Sequence, residues 1–476
     1  MKRAGPLPGG PATNFLTAVA SVNDPIIVRD LGPSVDLLRL HAAFPSRYPF
    51  LLQSVARGPD TARWDILFAF PGERLVLDAE AGLTRDGLTS PSNDFLHELD
   101  RWFAEEKAPR STTNLPFRGG WFVFLSYELA AQIEPRLSLP TAPDLPTAVA
   151  VRVPAALLHN HETGRILAVA ESDKAYLLDA ISADLAVAVA AELLESGLAV
   201  ADLQEDDPER FLAGVRRIHE YILAGDVFQV NLSRRWSAKF CQAANPVAVF
   251  QALRIHNPAP FAALAQLGDV SVVSSSPERL VRVRGGHVDT RPIAGTRPRG
   301  RGADDAVLSA ELIGNVKERA EHVMLIDLER NDLGRVCQPG SVRVDELMAV
   351  ESYAHVHHIV SNVCGELRAD ASPGDVLRAV FPGGTITGCP KVRCMEIIAE
   401  LESEGRGAYT GSLGYLNRDG DMDFNILIRT FTLQGNRCWF RAGAGIVADS
   451  EPNKELAETR SKARGLLLAL AQNDAH

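Results

Sequence analysis

Between Ser274 and Arg299 the alternation of apolar and polar residues turns back on itself. Leu280, Val281 and Val283 interleave with Arg282 and Arg284, Gly285-Gly286 follows, and His287 to Arg291 continue, which predicts two antiparallel strands joined by a two-residue turn. Downstream, helical periodicity predicts long helices over Ala306 to Leu328, Pro390 to Leu401 and Pro452 to Leu470. Asp207-Pro208 reads as an N-cap followed by proline at N1, Phe211, Val215, Ile218 and Ile222 form the buried stripe of the helix that follows, and Gly225 ends it. Asp226 to Ser233 then reads as a strand. Before residue 200 the pattern predicts a short helix around Ser34 to Ala43 and strands over Phe50 to Ser54, Trp64 to Phe70, Pro116 to Tyr127 and Ala148 to Leu158. An amphipathic helix is predicted over Ala175 to Leu194, and the acid-rich Ser196 to Asp207 reads as a connection. The expected organisation is a poorly ordered lead (1–24), an N-terminal subdomain (25–200) and a second domain (207–473), with no internal repeat.

Composition narrows the function classes. The 476 residues carry 49 basic and 60 acidic side chains, a net charge of −11, which argues against general nucleic-acid or anionic-membrane binding. Six cysteines without a C-x-x-C pair fit reduced thiols in a cytoplasm. Prolines and glycines between Pro6 and Pro11 break any secretory h-region, and no apolar run reaches membrane-spanning length, so a cytoplasmic protein is expected.

Several residues carry candidate chemistry. Glu278 ends the S-S-S-P-E turn at the mouth of a strand, where a carboxylic acid could protonate a leaving hydroxyl. In P-I-A-G-T, Ala294, Gly295 and Thr296 let backbone N–H groups approach an anionic ligand. Glu318 and Glu321 share a helix face, as do Glu455 and Glu458, with Lys462 one turn further. Two such pairs could hold Mg2+ through carboxylate oxygens and water, although spacing alone equally describes a solvated face.

S-S-S-P-E-R and P-I-A-G-T-R-P-R-G, together with R-A-E-H-V-M-L-I-D-L, F-P-G-G-T-I-T-G-C-P-K-V-R and A-G-A-G-I-V-x-D-S-x-P-x-x-E-x-x-E-T-R-x-K-A, resemble the chorismate-binding enzymes. These include the synthase subunits that make anthranilate or 4-amino-4-deoxychorismate, and the likeness runs from about Asp207 to Leu470. The resemblance implies an α+β fold: two facing antiparallel sheets with helices outside and the site between them. It also implies Glu321 and Glu458 as direct Mg2+ ligands, with Glu318 and Glu455 acting through water. His358 matches the family's active-site histidine, Thr385 a residue that hydrogen-bonds the substrate, and Tyr409 with Arg429 the pair that binds the enolpyruvyl carboxylate. Gly443, Ala444 and Gly445 would face the ligand from the other side, with Lys462 near its carboxylate, and Lys391 and Arg393 read as structural or surface groups. L-L-Q-S, with Leu52 and Ser54, resembles a strand that lines a tryptophan pocket in relatives, whose form is L-L-E-S.

The branch within the family is argued from single positions. Gln229 stands where water-adding relatives carry a lysine base, and neutral ammonia needs no such base. Asn231 in Q-V-N-L-S, Arg63-Trp64-Asp65-Ile66, Gly384 and Gln53 resemble the aminodeoxychorismate synthases; Ala294, where many of those carry a nucleophilic lysine, resembles the anthranilate synthases. The expectation is therefore aminodeoxychorismate synthase component I, with anthranilate synthase component I as the alternative. A remoter one is a non-catalytic tryptophan or chorismate sensor, which would have no need of Glu278, His358 and the helix carboxylates. No G-x-C-x-G nucleophile elbow is present, so ammonia is expected from a separate glutamine amidotransferase subunit.

Overall fold

Apolar residues on alternate positions of many short segments commit the chain to strands, and their number leaves two sheet faces to bury against each other. The computed structural model describes residues 24–56, 63–190, 198–298, 316–352 and 356–471. Sixteen strands position the site. They are β1 (Phe50–Gln53), β2 (Trp64–Ala69), β3 (Gly120–Leu125), β4 (Ala148–Val153), β5 (Ala155–Asn160), β6 (Gln229–Phe240), β7 (Phe261–Leu267) and β8 (Val270–Ser276). After them come β9 (Arg279–Arg284), β10 (His287–Thr290), β11 (Ile293–Pro298), β12 (Val356–Glu366), β13 (Ser412–Asn417), β14 (Met422–Asn425), β15 (Thr430–Gln434) and β16 (Arg437–Ile446). The helices that matter most are α1 (Val316–Gly334), α2 (Lys391–Glu402) and α3 (Pro452–Leu470).

Among the described residues each of two antiparallel sheets has twelve strands, eleven in a row and one branching off, Gly388–Cys389 on β6 in the first and Arg343–Ser352 on β12 in the second. The first runs Ile26–Pro33, Arg165–Glu171, β5, β2, β1, β7, β8, β15, β16, β6 and Val200–Glu205. The second runs β11, β12, β10, β9, β14, β13, β3, β4, Arg74–Asp78, Gly82–Arg85 and Leu88–Thr89. Their facing sides form one core of Phe50, Phe68, Ala263 and Val272 against Phe122, Phe124, Val149 and Leu413. Phe50 and Phe122 stack at 3.9 Å across it. Helices Leu177–Ala190, Pro246–His256 and α3 cover the outside of the first sheet, and Phe95–Glu106, α1 and Pro373–Val380 that of the second. The expected α+β sandwich is the fold observed. Strands from before and after residue 200 lie side by side in both sheets, as in the pairs β1–β7 and β3–β13. No described helix is long and apolar enough to cross a membrane.

Two local readings need correction. The single strand expected over Ala148 to Leu158 is two, because Pro154 interrupts it and β4 and β5 belong to opposite sheets. The expected connection from Ser196 contains an edge strand, Val200–Glu205, whose side chains past Val200 are all exposed, so it lacks the apolar alternation that signals a strand. Two arginines of the β9 hairpin are paired: Arg279 is buried against Asp423 at 2.9 Å, and Arg282 bonds Asp289 at 2.9 Å. The turn itself is as expected, with Gly285 and Gly286 at φ of 62° and 84°, the left-handed pair that a two-residue hairpin requires. The lead (1–23), residues 191–194 of the helix expected up to Leu194 and 306–315 of the long helix fall outside the described residues.

Candidate active site

Glu278 sits between β8 and β9, held by the Ile426 N–H, which donates to its carbonyl at 3.0 Å. Its side chain is 6% exposed. Burial pushes its carboxyl up to about 7, against the lowering influence of Thr385, the Ile293 N–H, Lys462 and Arg429. Glu278 Oε1, Gln229 Oε1 and Asn231 Oδ1 are all buried without a hydrogen-bond partner. Orphaned acceptors of this kind mark where a ligand's donors would fit.

β6 brings Gln229 and Asn231 to this place. Gln229 Nε2 donates to Glu321 Oε1 of α1 at 2.9 Å, and Asn231 Nδ2 to the Thr385 carbonyl at 3.3 Å. Gly445 and Gly443 of β16 pair with Asn231 and Ser233, so they form a strand ladder rather than a turn. The described pairing of β15 with β16 stops at Trp439, which leaves the other edge of these glycines without a strand neighbour. A Cβ on Gly445 would overlap the Gln229 amide nitrogen and come within 3.6 Å of Glu321 Oε1; one on Gly443 would lie 2.8 Å from the Tyr409 hydroxyl. Lys462 of α3 donates to the Gly443 carbonyl at 3.0 Å and to Glu458 Oε1 at 2.8 Å. Glu321 of α1 and Lys462 of α3 thus both reach β16, at Gly445 and at Gly443.

Arg429 adopts φ 52°, a left-handed conformation rare for a side-chain-bearing residue, and its carbonyl accepts from the Ser275 N–H at 3.1 Å. Burial lowers its pKa from the ordinary value, and Glu278 opposes that fall. Tyr409 is buried beneath the Arg406 guanidinium, 5.5 Å from its ring, and its hydroxyl is pushed up to about 12. On β11 a bulge falls between Ala294 and Thr296 and is formed by Gly295 at φ 65°. The side chains of Ala294 and Thr296 lie outside the described ones. Thr296 pairs with His358 of β12, which is buried at 3% exposure. Lys391 bonds Asp332 at 2.5 Å and Arg393 bonds Asp226 at 2.8 Å, both as structural ion pairs.

Two features escaped the sequence reading. Glu329 lies eleven residues after Glu318, three helical turns along the same face of α1. It is buried, with Oε1 3.6 Å from where a Cβ on Gly384 would stand. Burial, then the neighbouring Asp332, push its carboxyl up to about 8, with Glu278 adding to the rise and Lys391 opposing it. Beneath β6, Glu402 accepts from Arg406 at 2.7 Å, Arg441 at 3.1 Å and the Ser233 N–H at 2.8 Å, and Arg406 donates to the Asn231 carbonyl at 2.7 Å.

The family pattern described as "chorismate binding enzyme" matches residues 55–468. The chain belongs to that family. This chorismate-binding enzyme is 46% identical to an anthranilate synthase component I-like protein of Synechocystis sp. over 75% of its own length and 74% of that protein's. It is 41% identical to aminodeoxychorismate synthase component 1 of Bacillus subtilis, covering 81% of this chain and 84% of the other. Its fold matches the crystal structure of anthranilate synthase component I from Streptococcus pneumoniae with a TM-score of 0.76 at 32% identity, over 85% and 92% of the two chains.

Leu52 and Ser54, the expected tryptophan-pocket residues, line a cavity of about 240 Å3 between the sheets, which Arg279, Tyr415 and Asp423 close from the other side. Gln53 donates to Asp65 Oδ2 across β1 and β2 at 3.0 Å, and the Ser54 N–H donates to Oδ1 at 2.9 Å. This explains two departures at once. With an aspartate at 65, an acid at 53 would put two carboxylates in hydrogen-bond range, and the neutral amide avoids that repulsion.

Proposed function

We propose that the chain is aminodeoxychorismate synthase component I, converting chorismate and ammonia to 4-amino-4-deoxychorismate. The observation that carries amination is Gln229: a neutral amide bonded to Glu321, where water addition would call for a charged base, on the strand whose Asn231 reaches Thr385 next to the buried acid Glu278. Glu278 gives its proton to the departing C4 hydroxyl, which leaves as water, and ammonia enters on the Gln229 side. Thr385, Tyr409 and Arg429 hold the substrate, Arg429 through a bidentate contact to its carboxylate, and Lys462 adds a positive charge. His358, Gly295 and Thr296 line the β11–β12 wall, where Ala294 excludes a lysine nucleophile and leaves ammonia itself to attack. Gly443, Ala444 and Gly445 complete the cradle from the side of β16 that has no strand neighbour.

Mg2+ is the expected cofactor, and the donor set fits it. Glu321, beside Gly445, and Glu458, bonded to Lys462, supply the hard carboxylate oxygens that Mg2+ takes, with Glu318 and Glu455 one turn before them. When bound, the ion would raise electron demand in the ring through the substrate carboxylate. Ammonia is supplied by a separate glutamine amidotransferase subunit. The experiment is mass identification of the product from chorismate, Mg2+ and ammonium salt, with and without a 4-amino-4-deoxychorismate lyase. 4-Aminobenzoate formed only with the lyase supports the reading; anthranilate and free pyruvate formed without it overturn it. Ala294 and the relatives named anthranilate synthase favour that second outcome, in which pyruvate is eliminated instead of retained.

Glu329 bears on the same reaction. With Glu278 titrating near 7 and Glu329 near 8, both carboxyls are neutral at mildly acidic pH and each ionisation adds a negative charge against an anionic substrate. The alkaline fall in kcat/KM is expected to steepen from one proton to two above about pH 8 in the native enzyme, and to remain at one proton in Glu329→Gln. Parallel pH profiles of the two proteins check this.

A further inference from the structure

A second cluster of ligating groups stands apart from the carboxylates of the helices. Among the described residues, Asp65, His159 and His161 are the one group of three or more metal-ligating side chains whose ligand atoms all lie within 4.8 Å of one another. The topology makes the group. Asp65 on β2 is the register partner of His159 on β5, and His161 follows two residues later, so both imidazoles fall on the same side of the sheet. The rings meet edge to face at 4.4 Å, with Nδ1 of His159 3.2 Å from Asp65 Oδ2 and Nε2 of His161 2.8 Å from Oδ1.

We infer that Asp65, His159 and His161 form a binding site for one divalent transition-metal ion, of which Zn2+ fits best. A tetrahedral ion with bonds of 2.0–2.1 Å spaces its ligand atoms about 3.3 Å apart; the observed separations of 3.2 and 2.8 Å are both slightly shorter, so the ligands need open only by about 0.5 Å or less to admit the ion. Two imidazoles with one carboxylate is a donor set suited to Zn2+ and its neighbours, not to Mg2+. The carboxylate calls for a cation: Asp65 is 2% exposed, yet no lysine or arginine among the described residues pairs with it, and the nearby Arg63 is bonded to Glu162. The outer shell is already built, because the Ser54 N–H and the Gln53 amide orient the two carboxylate oxygens. The imidazoles are 13% and 18% exposed, which leaves a path for the ion and for a water to complete its coordination. Binding turns the lone pairs of His159 Nδ1 and His161 Nε2 to the metal; each neutral ring keeps its single proton on its other nitrogen. Because Gln53 and Ser54 also line the cavity between the sheets, the ion would fix one wall of it. This inference does not depend on which product the enzyme makes.

The test uses the full chain, stripped with a chelator and held in excess Mg2+, then titrated with Co2+ and with Zn2+. One equivalent of Co2+ is expected to bind with a visible ligand-field spectrum, to be displaced by Zn2+ and to raise Tm. That equivalent should survive in Glu458→Gln, disappear in His159→Gln/His161→Gln, and bind about tenfold more weakly in Gln53→Leu, an outer-shell change. Absence of a saturable equivalent, or one that persists in the double histidine variant, overturns the site. If the double variant does not fold, the imidazole nitrogen resonances of the unaltered protein decide: Zn2+ must shift those of His159 and His161, and unchanged signals overturn the site.

Discussion

Glu278→Gln is expected to lower kcat with chorismate and ammonium salt by about 10^2–10^4, the contribution of a positioned general acid. The amide keeps the shape and the buried setting, so KM for chorismate should change little. The decisive readout is the pH profile. Burial favours the neutral carboxyl of Glu278 and raises it to about 7, so activity of the native enzyme is expected to fall as pH rises through that value. In the variant the first ionisation of the alkaline limb is absent. Steady-state rates across neutral pH check this; a fall near 7 that persists in the variant would assign the proton elsewhere. The same shift acts on stability in a defined direction. A carboxyl whose pKa is raised by folding stabilises the fold below its ordinary value, and that contribution is lost as pH rises from about 4.5 through 7.

Removing Glu402 should have the largest effect on stability. Glu402, Arg406 and Arg441 are 1%, 1% and 5% exposed, so the group is an ion network inside the protein. Its two arginines hold Glu402 in the ionised form despite burial. Breaking a buried pair by truncating one partner costs about 3–5 kcal/mol, since the remaining charge is left without compensation. Glu402→Ala leaves two guanidinium groups and the Ser233 N–H in that condition. Urea unfolding should therefore show a loss of that size, and a loss below about 1 kcal/mol would mean that water reaches the network. Activity should fall as well, because Arg406 also binds the carbonyls of Asn231 and Ile386 and so sets the strand and the turn that present Gln229 and Thr385.

Much of this was readable from residue order, for local reasons. The Gly285-Gly286 turn, the helix beginning at Pro208 and the long C-terminal helix depend on spacing and capping, which are properties of neighbours in sequence. The motif-bearing segments were also readable, and the structure brings Gln229, Glu278, Glu321, Thr385, Arg429 and Gly445 to one region. What escaped depends on burial. Glu402 and Arg406 stand four apart and look like an ordinary exposed helix pair, and only the packing of β6 and β16 over them makes them a core network. Glu329 had a periodic signal, since it repeats the face of Glu318, but nothing in the spacing says that this face stays buried for three turns. Asp65 meets His159 and His161 from 94 and 96 residues away, through a strand pairing that no local pattern specifies.

The interleaving of early and late strands also governs how the molecule comes into being. β1 needs β7 and β3 needs β13, and the Arg118 N–H bonds the side chain of Asn417, 299 positions further along. A chain emerging from the ribosome therefore carries β3 with an open hydrogen-bonding edge until the segment after Ser412 has been made. Closing such distant pairs makes folding slow and late, and leaves apolar strands such as Gly120–Leu125 open to wrong partners in the meantime.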